Sequence, residues 1–323
     1  MEARTLGATE NLWDASKAEG LSELEALAYR SNMLGADRSV ANYGGGNTST
    51  KAKERDHAGR EVGVLWVKGS GSDLATIRAH QFTGLKLDEV LPLEEREEMS
   101  DEEMVSYLAS CQLRPDMPRG SIETLLHAFV PYAHVDHTHP DAINMICCAK
   151  GGEELAAECF GEEAVWIPYI RPGFTLSKQV GEAVRNNPNA RFVLLAKHGL
   201  VTWGETHEES YGHTIEAINR AAEFIASRAA DPFGGRRFEP LSPEQREALL
   251  AEVLPALRGA LSSGAGEAQA SHKILRADYA SEDVLEFVCG RDSKELSQVG
   301  AACPDHLVRT KVRPLWVDFD PQE

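Results

Sequence analysis

Three histidines carry the sharpest chemical signal in the chain. In Val135-Asp-His-Thr-His139-Pro, the two-residue repeat of an extended strand puts His137 and His139 on one face, where two imidazoles can share an ion. His198 ends a separate apolar run, Arg191-Phe-Val-Leu-Leu-Ala196, and is followed by Gly199, which lets the backbone turn sharply beside it. Three imidazoles leave one coordination position open, as in catalytic zinc sites. Structural sites usually close with four ligands and are rich in cysteine. Zn2+ is the expected ion, and Mn2+, Fe2+, Co2+ or Ni2+ also suit imidazole donors. Taken alone, the His-x-His spacing serves a half-buried histidine pair as well as it serves a metal.

A carboxylate near such an ion is a natural proton carrier, and Glu123 in Gly120-Ser-Ile-Glu-Thr-Leu-Leu-His127 is the candidate. On a helix Glu123 and His127 would share a face; the plainer readings are a first-turn carboxylate favoured by the helix dipole, and a packed or supporting histidine. Two glycine loops, Gly44 to Ser49 and Lys68 to Gly71, offer the backbone N–H groups and hydroxyls that a phosphate monoester needs. Neither has Walker or Rossmann spacing, and glycine turns also serve purely structural ends.

These groups need elements to hold them. Apolar spacing predicts a helix over 16–35, a buried strand over 62–67, helical periodicity from Ser121, and a strand, break and helix across 133–148 with Pro140 at the break. A strand over 191–196 and a long helix over 208–230 follow, and Asp231-Pro-Phe-Gly-Gly235 marks a domain boundary. Beyond it come a capped helix from Ser242, strand-like runs at 273–278 and 284–288, and another at 314–319. The organisation read from this is a main domain, 1–230, and a small α/β extension, 231–323, packing on it.

The 323 residues carry 33 Lys and Arg against 51 Asp and Glu, a net charge of -18, which excludes general attraction to nucleic acid or to an anionic membrane. An anionic substrate therefore requires a local cradle. The six cysteines form no C-x-x-C pair, and the adjacent Cys147 and Cys148 read as buried thiols in a reducing compartment. With no signal core and no stretch of eighteen apolar residues, the expected location is cytoplasmic.

Taken in order, Gly-Gly-Asn-Thr-Ser (45–49), Lys-Gly-Ser-Gly (68–71), Ser-Ile-Glu (121–123), His-Thr-His-Pro (137–140) and Lys-His-Gly (197–199) resemble the class II aldolase/adducin family over roughly residues 20 to 230. The resemblance implies a three-layer α/β/α sandwich around a central, largely antiparallel sheet and a homotetramer. It implies zinc on His137, His139 and His198, a substrate phosphate held by Gly46, Asn47, Ser70, Gly71 and Ser121, and Glu123 as the catalytic carboxylate. Ala302-Cys-Pro-Asp-His-Leu-Val-Arg-Thr-Lys311 looks like the aldolase half of bifunctional rhamnulose-1-phosphate aldolase/alcohol dehydrogenases, with a covalently attached dehydrogenase half as the implied partner. No dinucleotide fingerprint occurs within these 323 residues. The implied reaction is cleavage of a ketose 1-phosphate to dihydroxyacetone phosphate and an aldehyde, lactaldehyde if the sugar is L-rhamnulose. A pentulose-phosphate 4-epimerase, a sugar-phosphate dehydratase and an adducin-like interaction module are the alternatives within the same family. His306, Arg309 and Lys311 are either site-lining groups or a solvated charged strand, and Tyr169 is either a proton carrier or, more simply, a packing residue.

Overall fold

The computed structural model describes residues 8–228, 231–262 and 273–318. The chain divides into two compact units, Met1–Arg228 with Ala301–Thr310, and Ala229–Gly300 with Lys311–Glu323. The division falls close to the composition break at 231. Residues 301–310, however, cluster with the first unit rather than with the extension to which their position in the sequence assigns them.

Among the described residues, the first unit holds one seven-stranded sheet. Its strands are β1 (Asn47–Arg55), β2 (Glu61–Lys68), β3 (Phe82–Lys86), β4 (His134–Thr138), β5 (Ala164–Ile167), β6 (Phe192–Leu195) and β7 (Gly199–Gly204). They lie in the order β3-β2-β1-β4-β7-β6-β5. Every pairing is antiparallel except β5 with β6. β6 shows why both faces are covered. Phe192 and Leu194 point into a core with the helices Glu23–Ala36, Asp141–Cys147, Gly152–Phe160 and His207–Ala226, while Val193 and Leu195 point into one with Thr124–Phe129 and Phe174–Asn186. Burying each of these side chains contributes about 1.5–3 kcal/mol. The result is the three-layer α/β/α sandwich with a largely antiparallel sheet.

Local chemistry sets the helix starts. Ser22 and Glu25 form a reciprocal capping box at the first of these helices, and Thr206 caps the His207–Ala226 helix through the Glu209 N–H. In the second unit Ser242 and Gln245 box the Pro243–Leu261 helix, with proline in its first turn.

Several local readings change. Asn47, Thr48 and Ser49 are not the end of a loop but the start of β1, because their backbones pair with β4 and their side chains are buried there. Glu123 is the N-cap of the Thr124–Phe129 helix rather than a residue inside it. Residues 284–288 lie in the helix Glu282–Val288, which has two acids in its first turn and apolar residues at helical spacing. Residues 273–278 and 314–318 form no strand, and Phe319 lies outside the described residues. The stretch around His306 is the helix Pro304–Arg309, started by proline, and not a strand. Cys147 is buried as expected, whereas Cys148 is exposed.

Candidate metal centre

β4 runs through the middle of the sheet, with all five of its residues buried. Asn47 of β1 pairs with His137 on one side and Val201 of β7 on the other, so the strand that carries the ligands is clamped along both edges. His198 sits in the β6–β7 turn. There Lys197 takes a positive φ of 56°, a conformation an L-residue adopts at some cost. A Cβ at Gly199 would stand 2.4 Å from the Thr138 carbonyl and 2.8 Å from His139 Cδ2, so only glycine lets this turn close against the second ligand strand.

The turn brings the three rings together. His137 Nε2 lies 3.1 Å from His139 Nε2 and 3.2 Å from His198 Nε2. Two of the tautomers follow from the partners. His137 Nδ1 faces the Leu200 carbonyl at 2.8 Å and His139 Nδ1 faces the Asp305 carboxylate at 2.9 Å, both acceptors, so each ring carries its proton on Nδ1. Their Nε2 lone pairs then point at one another with no proton between them. That arrangement repels unless a cation occupies the centre. Zn–N bonds of about 2.0–2.1 Å set tetrahedral N···N separations near 3.3 Å, close to the two observed. The donor set fits a divalent ion.

Glu123 completes the fit. Its Oε1 is buried, accepts no hydrogen bond among the described residues, and stands 3.3 Å from His137 Nε2 and 3.1 Å from His198 Nε2. The sequence reading leaves the fourth position open; in the structure this oxygen borders it. Burial pushes the Glu123 carboxyl upward, and positive charge at the His137 and His198 cluster more than reverses this, holding it well below the ordinary carboxylate range. The other oxygen is tethered. Asn47 Nδ2 donates to Glu123 Oε2 at 2.8 Å, His127 Nε2 donates to Asn47 Oδ1 in a very short contact, and Ser49 Oγ donates to His127 Nδ1 at 2.8 Å. Burial pushes the His127 pKa down to about 3, which keeps the ring in the one-proton form this chain requires. The relay Ser49, His127, Asn47, Glu123 has a single donor direction, and it leaves Oε1 as the carboxylate's free end.

The residues expected around a phosphate gather on the same side of the fold. Gly46 has φ of 66° and no room for a Cβ, which would meet the His137 carbonyl at 2.8 Å. The Asn47 side chain uses its oxygen and one of its two Nδ2 hydrogens on His127 and Glu123. Ser121 Oγ accepts from the Glu123 N–H at 3.2 Å. Ser70 and Gly71 are exposed and joined to this segment by a bridge between Gly69 and Gly120 and by the Ser70 N–H to the Arg119 carbonyl at 2.8 Å. Tyr169 is 57% exposed. His306 lies 3.3 Å from the Asn42 amide, Lys311 belongs to the other unit, and the Arg309 side chain is outside the described residues. Asp305 and the Ser49 relay were not legible beforehand: Asp305 is 166 residues from its histidine, and no spacing signals such a contact.

A second cluster, Glu23, His134 and His207, lies at the other end of β4. Arg30 Nη1 donates to His207 Nδ1 at 2.8 Å, which puts that ring's proton on Nε2, 3.2 Å from Glu23 Oε2. No lone pair of His207 remains for a cation, and the cluster is a hydrogen-bonded one.

Fold and donor set together define an α/β/α protein whose central sheet carries three histidines arranged so that they could hold a metal ion. The chain belongs to the Class II Aldolase and Adducin N-terminal domain family, which it matches over residues 25–225, and residues 248–323 match the second domain of class II aldolases. It is 52% identical over 316 residues to the uncharacterized oxidoreductase YuxG of Bacillus subtilis (strain 168), covering 97% of this chain and 45% of that protein. The chain thus spans under half the length of that relative. The N-terminal class II aldolase domain of a conserved protein from Thermoplasma acidophilum superposes with a TM-score of 0.63 at 41% identity, covering 68% of this chain and all of that one. Among the described residues no helix is long and apolar enough to cross a membrane.

Proposed function

We propose that the protein is a metal-dependent aldolase that cleaves a ketose 1-phosphate, with L-rhamnulose 1-phosphate the favoured substrate, to dihydroxyacetone phosphate and an aldehyde, lactaldehyde for that sugar. Family membership supports a sugar-phosphate aldolase. The observation that carries the reading is the convergence of three imidazole Nε2 atoms beside a carboxylate oxygen that accepts no hydrogen bond. A divalent ion, Zn2+ in this reading, held by His137, His139 and His198 supplies Lewis-acid stabilisation of the negative charge that retro-aldol cleavage develops on the phosphate-bearing fragment. Glu123 moves the proton at the substrate carbon through Oε1, while Asn47 keeps Oε2 occupied and the carboxylate oriented. Gly46, Asn47, Ser70, Gly71 and Ser121 receive the phosphate, offering local donors in a chain of net charge -18. A homotetramer and a covalently attached dehydrogenase half that consumes the aldehyde belong to the same proposal; the longer relative's name, an oxidoreductase, supports the second.

The test is to incubate zinc-loaded and chelator-stripped protein with L-rhamnulose, L-fuculose and L-ribulose phosphates and to measure dihydroxyacetone phosphate. The expected result is release from rhamnulose 1-phosphate by the loaded protein alone. An epimer or a dehydrated sugar without dihydroxyacetone phosphate moves the assignment to the epimerase or dehydratase reaction. Protein that takes up no zinc on dialysis has the adducin-like role instead.

A further inference from the structure

We infer that Asp305, carried back to the first unit by residues 301–310, is the positioning residue of His139, holding its ring by Nδ1 so that Nε2 faces the cation. The inference rests on the cation-site reading above and adds a residue to it from outside the Class II Aldolase and Adducin N-terminal domain match at 25–225.

Four observations carry it. Asp305 Oδ2 lies 2.9 Å from His139 Nδ1, and its side chain is 12% exposed. Nδ1 and Nε2 diverge across the imidazole ring, so this carboxylate stands behind the ligand and not among the ligands. Gly45 provides the space. A Cβ there would meet the Asp305 carboxylate at 2.1 Å, and Gly45 does not take a positive φ, so room rather than backbone conformation is what its missing side chain supplies. The segment is seated by further contacts within the same unit: Cys303 Sγ donates to Asp305 Oδ2 at 3.2 Å, and Cys148 Sγ donates to the Ala302 carbonyl at 3.4 Å.

The three rings are consequently not equivalent. His137 donates to a neutral carbonyl, and His198 Nδ1 has no partner among the described residues. His139 donates to a carboxylate, which fixes its tautomer, locks its orientation and raises the basicity of Nε2. Outer partners of this kind are typically worth about 10–100-fold in metal affinity.

The experiment uses the full chain, with Co2+ as probe. Its absorption spectrum reports the ligand field, and zinc competition gives the affinity. Asp305→Ala is expected to weaken binding by about 10–100-fold and to shift the cobalt bands. Asp305→Asn, whose amide oxygen still accepts the Nδ1 proton, recovers part of that loss. Gly45→Ala displaces the carboxylate while leaving it in the chain, so it weakens binding in the natural background and adds nothing to Asp305→Ala. If Asp305→Ala does not fold, Gly45→Ala carries the test, with circular dichroism of the metal-free protein as the folding control. Wild-type protein that binds no cobalt or zinc overturns the cation-site reading and this inference with it. Normal binding by wild type, with affinity and spectrum unchanged in Asp305→Ala and Gly45→Ala, overturns this inference alone. So does an equal loss from Asp305→Ala in a His139→Ala background.

Discussion

Arg30 and Asp136 are both fully buried, and the guanidinium Nε lies 3.0 Å from Asp136 Oδ1. Arg30 Nη2 also donates to the Ser49 carbonyl at 2.6 Å and Nη1 to His207, while Ser210 Oγ donates to Asp136 Oδ2 at 2.7 Å. Burial raises the Asp136 carboxyl and lowers the Arg30 guanidinium, each against the pull of its partner. Both move toward neutrality, which marks a pair whose desolvation cost exceeds its mutual attraction. Such a pair adds little net stability when intact and is costly to break. Arg30→Met strands a carboxylate with one hydroxyl donor, at a cost of about 3–5 kcal/mol. Against a total stability of about 5–15 kcal/mol, and at about 2–4 °C per kcal/mol for a domain of this size, the melting temperature falls by about 6–20 °C. Asp136→Leu, which strands the guanidinium, carries a loss of the same order. Arg30→Met/Asp136→Leu removes both charges and is expected to lose less than the sum of the singles by at least about 2 kcal/mol, the remainder reflecting the orphaned Ser49 carbonyl and Ser210 hydroxyl. Urea unfolding of the metal-free protein at pH 7 measures all three. Singles costing under about 1 kcal/mol, or costs that add to within about 0.5 kcal/mol, would refute this account of the pair.

Three further outcomes follow from the same contacts. Glu123→Gln, with zinc bound, should lower dihydroxyacetone phosphate release by about 10²-fold or more; unchanged turnover removes Glu123 from the proton transfer. Gly199→Ala should push against the Thr138 carbonyl and the His139 ring, costing about 1–3 kcal/mol in stability and weakening metal uptake, which a melt and a cobalt titration read together. Burial, reinforced by the Arg30 charge, pushes the pKa of His134 down to about 3 and of His207 to about 2. The unfolded chain, with histidines near 6.5, therefore binds more protons below that pH, and stability falls as pH drops from about 6.5 toward 3. Allowing for partial solvent access, the two rings account for about 2 kcal/mol between pH 7 and 5. His207→Gln should flatten the melting temperature's dependence on pH, and an unaltered slope would count against the assignment.

The parts of this architecture that were legible in the sequence are those with short-range signals. The 191–196 run, the start of the helix after Thr206 and the break at Pro140 appear within a residue or two of their expected places, because period and capping are local. β1 was hidden because Asn47-Thr-Ser-Thr-Lys-Ala-Lys-Glu-Arg55 is polar except for Ala52. Its first four residues are buried for hydrogen bonding and not for apolar area, and no hydropathy pattern reports that. At 284–288 the β-branched valines suggested a strand, while the spacing and the acids before it favoured a helix. Individual site residues carried signals of type and spacing. Their frame did not, since the Asn47 amide, the Leu200 carbonyl and Asp305 act through contacts that only the folded chain creates.

β4 explains why a polar site can sit in the middle of a sheet. His134, Asp136, His137 and Thr138 are buried on a strand that packing alone would fill with valine and isoleucine. Alternation sends Asp136 toward the His207–Ala226 helix, where Ser210 and Arg30 meet it. The same alternation sends His137 to the opposite face with Val135, toward Glu123 and the Leu200 carbonyl. One face is thus closed by an ion pair that holds the strand to two helices, while the other keeps its lone pairs and carboxylate directed at one point. A one-residue slip of β4 would exchange these faces, turning Asp136 toward Glu123 and His198 and a histidine toward Arg30. In the observed register the ion pair and His137 thus occupy opposite faces of β4, and that slip would break the pair and turn His137 away from His198.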